Sequence, residues 1–395
     1  MTDLYWDPFD IDIDLDPYPI WQRLRDEAPV YRNDELDFYA YSRHSDVETA
    51  HRDPRTYSSA HGTVLELMGP DPIPTGQMIF LDPPAHDVLR ALVSRAFTPR
   101  RVNGLEDTIR GICRDLLDAQ VGGSGFDFVQ DFGAVLPSMV ISSLIGVPDA
   151  DREEVRGHID EVFHIEPGVG MINDVSFGAQ IWLHEYLMGL VQERRARPTD
   201  DMVSALVAAE ITTDDGQTRR LTDEESVDFT NLLVSAGTET VARLLGWAAV
   251  LLDQHPDQRA ELAADAALLP NAIEEMLRFE APSPVQGRWT TAAVEVNGTT
   301  VPAGSRVLLL TGSAGRDERK YADADRFDIH RRFDTHVSFG FGIHFCLGAS
   351  LARLEGRVAL EEALARFPEW SVDSERTVRL HTSTVRGFSK VPVSV

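Results

Sequence analysis

The chain has 395 residues, of which 64 are acidic and 37 basic, so its formal net charge is −27. This composition argues against nucleic acid or an anionic membrane as the main partner, since both are bound through basic surfaces. Two cysteines, Cys113 and Cys346, are too few for a disulfide framework or a four-cysteine zinc site. The first residues lack the basic start and apolar run of a signal peptide, and the longest nearly uncharged apolar run, 244–252, is about half a membrane span. We therefore expect a soluble cytoplasmic protein.

Strand patterns are few and short along the chain. Residues 30–31 and 38–41 predict a small hairpin, and residues 294–301 predict a second one, because Asn297-Gly298 supplies the positive φ angles of a tight turn. Residues 307–310 predict a further buried strand. Helical periodicity dominates elsewhere, including 348–367. The expected fold is mainly α with small β-sheets, built as one domain over residues 1–395.

One helix is unusually long and apolar. Thr222 and Glu225 form a capping box at its start, and the pattern continues to about Gln254, where Pro256 stops it. Residues 232–252 are apolar on nearly every face, so the helix must pass through the interior. Its centre nevertheless contains Glu239, and a buried carboxylate is rare unless it is paired or functional.

The segment 339–348 carries the strongest chemical signal, because three glycines surround a lone cysteine immediately before a helix. Glycine allows close backbone approach to a flat ligand, and free amide N–H groups at a helix start favour a thiolate. A cysteine alone would more often be a buried packing residue. The complete pattern resembles the F-G-x-G-x-H-x-C-x-G loop of cytochrome P-450 haem-thiolate monooxygenases. The resemblance implies that Cys346 is the axial ligand of haem b iron, with Phe339, Gly342 and Gly348 shaping the loop.

Further motifs extend the resemblance along the chain. Residues 236–240 are similar to the family's oxygen-activation motif, which implies that Glu239 and Thr240 deliver protons to bound O2; Thr240 can also bond back to the Ala236 carbonyl. Gly237 would leave space for dioxygen and water. A structural network implied by the E-x-x-R and P-x-R-F motifs would contain Glu275, Arg278 and Arg326, although alanine replaces the usual proline in the second motif.

The family also binds the haem propionates through histidines and arginines. Asp82 and the prolines after it are expected to start a helix on which His86 and Arg90, four residues apart, share one face. Arg288 and His344 match two further propionate partners by position. Four donors for two carboxylates would balance charge in a buried site.

The implied reaction is the insertion of one oxygen atom of O2 into an apolar small molecule, with electrons from a ferredoxin and its ferredoxin reductase. Substrate identity is not readable, but the sequence predicts a mobile entrance at 163–182 and an apolar lid at 63–78. The candidate pocket residues are Leu67, Leu232, Ser235, Ala236 and Val285. A basic patch that would steer an acidic ferredoxin is predicted from the arginines near the thiolate: Arg95, Arg100, Arg101, Arg353 and Arg357.

Three other interpretations remain open at this point. A peroxide-driven haem-thiolate enzyme has less need of the Glu239–Thr240 pair, and a haem-based sensor or carrier would bind ligands without turnover. A plain helical protein with a structural Cys346 is the third. The visible spectrum of the reduced protein with carbon monoxide separates haem-thiolate proteins from the rest.

Overall fold

The structure is a computed structural model that describes residues 4–94, 102–162, 173–212, 216–332 and 334–395. Within these residues the α-helices are α1 (Ile11–Leu15), α2 (Tyr18–Glu27), α3 (His44–Arg52), α4 (Ala85–Ser94), α5 (Glu106–Asp118), α6 (Val135–Ile145), α7 (Arg152–Val162), α8 (Asp174–Ala196), α9 (Met202–Ala208), α10 (Asp223–Gln254), α11 (Pro256–Ala264), α12 (Leu269–Phe279), α13 (Thr311–Gly315) and α14 (Ala349–Arg366). The strands are β1 (Val30–Asn33), β2 (Phe38–Tyr41), β3 (Tyr57–Ser58), β4 (Gly125–Asp127), β5 (Glu210–Thr212), β6 (Thr218–Arg220), β7 (Gln286–Thr290), β8 (Val294–Val296), β9 (Thr299–Val301), β10 (Arg306–Leu309), β11 (Ser371–Val372), β12 (Val378–His381), β13 (Arg386–Lys390) and β14 (Pro392–Ser394). The mainly α fold with small sheets is thus confirmed.

The long central helix α10 begins and ends where the sequence predicts. The Glu225 backbone N–H donates to Thr222 Oγ1 at 3.1 Å, and the Thr222 N–H donates to the Glu225 carboxylate at 2.8 Å, so the capping box is present. Residues 241–252 are buried without interruption. The helix contacts α6, α8, α14 and β13, and therefore runs through the middle of the molecule.

Both predicted hairpins are confirmed. The antiparallel pair β1–β2 joins a five-stranded sheet of order β1-β2-β10-β7-β3, in which β2 and β10 run parallel. In the β8–β9 hairpin, Asn297 and Gly298 have φ angles of 48° and 77°, as the tight turn requires. Strand β7 carries Arg288 into the interior from this sheet.

The largest hydrophobic core joins α5, α10, α12 and α14. Cys113 lies in it, fully buried, and burial raises the pKa of its thiol to about 12. This environment suits the packing role expected of that cysteine.

Among the described residues one stretch, Phe128–Ile145, is long and apolar enough to cross a membrane. It lies outside the apolar run that the sequence singled out, and 61% of it is buried in the structure. Core helices of globular proteins pass the same length and composition test, so this stretch is weak evidence for a membrane span.

Candidate functional site

The cysteine loop is held by its own backbone at the start of α14. The Cys346 N–H donates to the Phe339 carbonyl at 2.9 Å, and the backbone N–H groups of Gly348 and Ala349 point at the thiol. Gly342 has a φ of 68°, and a Cβ there would lie 2.5 Å from the His51 carbonyl oxygen of α3. Glycine at 342 is therefore required by both conformation and space. Gly348 has a φ of −81° and open space around it, so its contribution is the N–H group.

Cys346 combines an accessible side chain with a desolvated thiol. Burial is the main cause that raises the pKa of its thiol, while the Gly348 N–H and the charge of Arg90 act in the opposite direction. Ala236 is likewise exposed in the middle of helix α10, and the neighbouring Thr240 is only partly covered.

Helix α10 and the cysteine loop are connected by packing. Leu347 packs against a hydrophobic cluster that contains Leu89 of α4 and Leu233 of α10. Leu232, one of the predicted pocket residues, packs against the same cluster. The three elements that carry the predicted site residues therefore meet in one region.

The four predicted carboxylate donors also converge. The rings of His86 and His344 have centroids 4.5 Å apart, and both Nε2 atoms are buried without a hydrogen-bond partner in the part of the chain that the structure describes. Arg90 donates through Nη2 to the Phe345 carbonyl at 2.7 Å. Arg288 is buried, and no ion pair to a carboxylate is found for it among the described residues.

Electrostatics around these donors indicate a missing anion. Burial lowers the pKa of Arg288 to about 10, and the pKa of His344 falls to about 2 through burial and the charges of Arg288, His86 and Arg90. Buried cations normally have paired carboxylates, because desolvating an unpaired charge is expensive. Two carboxylates of a flat ligand would satisfy these groups, so the residues present fit haem with its two propionates.

His51 is a member of this region that the sequence did not indicate. It is buried on α3, and its Nδ1 lies 3.5 Å from Arg288 Nη2. Burial first, then the charges of Arg288 and His344, lower the pKa of His51 well below its ordinary value, so the ring is neutral. No motif marked it, since a histidine near a helix end has no distinctive spacing.

On α10 the predicted back-bond is present, because Thr240 Oγ1 donates to the Ala236 carbonyl at 3.1 Å. Glu239 is buried and forms an ion pair with Arg243 at 2.8 Å. Gly237 also has a packing role, because a Cβ there would lie 3.2 Å from Ile141 Cδ1 of α6, so this glycine allows two helices to pack closely.

The structural network has a different third member from the one predicted. Arg278 and Glu275 form a fully buried bidentate pair with both distances at 2.7 Å. Arg326 does not join it, since its side chain is 70% exposed and lies 3.8 Å from Asp328. Arg331 takes the place, with Nε 3.1 Å from the Glu275 carboxylate. The turn after α13 exposes Arg326 and folds the later arginine back onto α12.

Two smaller expectations also change. The Asp82 carboxylate does not cap α4; it accepts hydrogen bonds from the Ser58 hydroxyl and the Ser59 N–H, and only its backbone carbonyl starts the helix. The described residues of the predicted basic patch carry no unpaired positive charge. Arg95, Arg100 and Arg101 lie outside the described residues, Arg353 is paired with Glu274, and the remaining arginine at 357 is paired with two glutamates.

The candidate substrate residues are spread over three environments. Ala236, Ser235 and Leu232 occupy the accessible side of α10, whereas Leu67 is 42% exposed on a short helical turn. Val285 is buried in a core cluster near the amino terminus. Of the predicted entrance, 163–172 lies outside the described residues and 173–182 begins α8.

The fold and this donor set define a haem-thiolate protein: a cysteine at the start of a helix, a long central helix that packs near the cysteine loop, and a buried arginine beside two histidines whose Nε2 atoms lack partners. The Cytochrome P450 family model matches residues 35–394. A putative cytochrome P450 123 of Mycobacterium tuberculosis is 43% identical over 396 residues, covering 100% of this chain and 97% of that protein.

Two further matches extend the comparison. An erythromycin C-12 hydroxylase of Saccharopolyspora erythraea is 39% identical and covers 94% of this chain and 92% of the relative. The solved structure of the open cytochrome P450 Eryk from S. erythraea has a TM-score of 0.89 at 35% identity, with coverage of 99% and 98%. The chain belongs to the cytochrome P450 family, and it is a cytochrome P450 monooxygenase that uses haem and O2.

Proposed function

We propose that this enzyme hydroxylates an apolar small molecule with haem b as its cofactor and with electrons from a ferredoxin and its ferredoxin reductase. The observation that carries the proposal is the accessible Cys346 thiol together with buried Arg288, for which no ion pair is found among the described residues, and the unpartnered Nε2 atoms of His86 and His344. We also propose that residues 1–395 act as one domain in the cytoplasm, which the paucity of cysteines supports.

Different residues would bind the iron and the propionates of the cofactor. Cys346 would bind the iron, with its negative charge stabilised by the N–H groups of Gly348 and Ala349. Arg90, Arg288 and the two histidines would bind the propionates. Haem would supply the iron at which dioxygen is activated, and a thiolate ligand favours O–O cleavage over reversible binding.

Proton delivery is assigned to two residues of α10. Thr240 is partly accessible on the side of the helix that also exposes Ala236, and the buried carboxylate of Glu239 is adjacent in sequence. A hydroxyl held by the Ala236 carbonyl can pass a proton onward while the acid resupplies it. A peroxide-driven enzyme or a ligand carrier would not need this pair, which favours the O2-dependent reaction.

The substrate is proposed to be apolar and of small-molecule size. The candidate pocket positions Leu67, Leu232, Ala236 and Val285 are apolar, and Ser235 adds one hydroxyl. The relative from Saccharopolyspora erythraea hydroxylates erythromycin by its name. Screening ligands for the change from low-spin to high-spin haem would identify the substrate class.

A ferredoxin remains the proposed donor, but the described face around α14 gives it no excess positive charge. Arginines there are interleaved with acids in a network: Arg110, Arg114, Arg353, Arg357 and Arg366 with Glu106, Asp118, Glu274, Glu361 and Glu362. The steering role therefore rests on Arg100 and Arg101. Neutralising both should slow reduction by ferredoxin and weaken its salt dependence; unchanged kinetics would remove this part of the proposal.

The spectrum of the reduced protein with carbon monoxide tests the cofactor assignment. The wild type should show the Soret shift of a thiolate-bound haem, and Cys346→Ser should lose it. Cys113→Ala is the matched control, because it removes the other cysteine, which lies in the core. A histidine-type spectrum, or a thiolate signal that survives in Cys346→Ser, would overturn the assignment.

Turnover separates the proposed reaction from its alternatives. Reconstituted with ferredoxin, ferredoxin reductase and NADH, the enzyme should form hydroxylated product from O2, and Thr240→Ala should consume NADH with little product. Product formed only with added peroxide favours the peroxide-driven enzyme, and stable ligand binding without product favours a sensor or carrier. Tight coupling in Thr240→Ala would refute its role in proton delivery.

A further inference from the structure

A buried arginine in the apolar half of α10 has no part in the assignments above. Arg243 lies one turn after Glu239, and its Nη2 is 2.8 Å from the Glu239 carboxylate. The side chains of this ion pair are 7% and 9% exposed. A buried guanidinium needs several partners, so the other contacts of Arg243 indicate what it connects.

Its second contact is with the hairpin formed by β12 and β13. Arg243 Nη1 donates to the Phe388 carbonyl of β13. Gly387 lies directly on the Arg243 side chain, since a Cβ there would be 2.7 Å from Arg243 Cδ. Strand β13 therefore rests on the same side chain that holds Glu239.

A third charged group lies within electrostatic range of the pair. Asp160 on α7 feels the charges of both Glu239 and Arg243, and its pKa is raised, chiefly by burial. Its carboxylate is nevertheless half accessible and pairs with Arg156 of the same helix at 3.0 Å. The acid that we assign to proton delivery thus lies within electrostatic range of a carboxylate that reaches solvent.

We infer that Arg243 is a positioning residue, which fixes the Glu239 carboxylate for proton delivery and ties it to the β12–β13 hairpin. This inference rests on the proposed role of Glu239. A buried carboxylate that loses its counter-ion is free to change rotamer. The guanidinium prevents this change, because it is itself held by the Phe388 carbonyl.

The test compares two substitutions in the holoenzyme. Arg243→Lys keeps the charge that Glu239 needs, whereas Arg243→Gln removes it and is too short to hold both partners. The matched control is Arg259→Gln, since Arg259 is also buried and donates to a carbonyl, that of Trp370 at 2.7 Å, on α11. The carbon monoxide spectrum of each variant establishes that the site has formed.

The first readout is product formed per NADH consumed. Arg243→Gln should lower this coupling about tenfold, within the range of a lost general acid. Arg243→Lys should stay within about twofold of wild type, as should Arg259→Gln. Normal coupling in Arg243→Gln, or a loss in Arg243→Lys as large as in Arg243→Gln, would overturn the inference.

The second readout needs no turnover. Amide hydrogen exchange across 386–390 of the resting enzyme should rise several-fold in Arg243→Gln and stay unchanged in Arg259→Gln, because β13 loses its anchor. Unchanged exchange in Arg243→Gln would refute the connection to the hairpin.

Combination with Glu239→Gln distinguishes this inference from the role of the acid. If Arg243 acts through Glu239, Arg243→Gln adds no further loss of coupling in the Glu239→Gln background. Equal losses in both backgrounds would overturn it. A Glu239→Gln enzyme that stays coupled refutes the relay itself, whereas uncoupling by Glu239→Gln together with a fully coupled Arg243→Gln refutes only the positioning role.

Discussion

Glu355 on α14 should make the protein less stable as the pH rises toward 8. Its side chain is 2% exposed, and its Oε2 atom has no hydrogen-bond partner among the described residues. Burial raises the pKa of this carboxyl to about 8, from an ordinary value of 4.5. The carboxyl is therefore neutral in the folded enzyme at pH 7, although it ionises freely in the unfolded chain.

The sign and size of the effect follow from this difference. Below pH 4.5 the folded and unfolded states are both protonated, and no penalty exists. Between pH 4.5 and about 8 only the unfolded chain has released the proton, so the free energy of unfolding falls by about 1.4 kcal/mol per pH unit. Over the whole interval Glu355 costs about 5 kcal/mol, and above pH 8 the loss levels off.

The test is Glu355→Met, which keeps a similar volume without an ionisable group. Urea unfolding of the holoenzyme at pH 5, 6.5 and 8, followed by far-UV circular dichroism and Soret absorption, should show that the variant gains stability relative to wild type as the pH rises. The control is Glu369→Met, because Glu369 is exposed. Parallel pH profiles of wild type and Glu355→Met would refute the reasoning.

Three other outcomes can be measured in the same way. Arg331→Met should lower the free energy of unfolding by about 3 kcal/mol because it breaks a buried network, whereas Arg326→Met should change it by less than about 0.5 kcal/mol; the reverse order would contradict the contacts described above. Gly342→Ala should lower the melting temperature and the haem content together, since it strains a positive φ and drives a methyl group into α3; a fully loaded, equally stable variant would show that the loop can shift. Burial acts to raise the pKa of Glu274, but hydrogen bonds from Arg353 and a neighbouring histidine lower it to about 2, so the contribution of Glu274 to stability is present above pH 4.5 and is lost as the pH falls toward 2. Glu274→Gln should therefore reduce the loss of stability between pH 4.5 and 2 in urea titrations. An unchanged loss would exclude the Glu274–Arg353 pair as its source.

Local sequence rules predicted the elements that local interactions determine. The capping box at Thr222 and Glu225, the Asn297-Gly298 turn and the Thr240 back-bond each involve residues close in sequence, so their geometry follows from residue type and spacing. The glycines and the cysteine at 339–348 are also a local pattern, because they lie within ten residues of one another.

The same rules could not predict which residues pair when the partners are distant in sequence. Arg326 and Arg331 lie five residues apart, and only the path of the intervening turn decides which one reaches Glu275. The contacts of Arg243 could not be predicted, because its partners are an acid one turn away and a strand carbonyl that is distant in sequence. The contact of Gly237 with α6 could not be predicted either, because the position of α6 beside α10 is known only from the folded structure.

Charge balance connects the acidic composition with the site. In a chain with 64 acidic and 37 basic residues, carboxylates outnumber cations, and most buried arginines form an ion pair with a carboxylate. Arg288 is buried without an ion pair among the described residues, beside two imidazole Nε2 atoms that also lack partners. An ion pair with a carboxylate would stabilise these groups further, and the two propionates of a haem can supply it. On this argument haem binding contributes to folding, and replacing Arg288 by leucine should weaken haem retention while making the haem-free protein more stable.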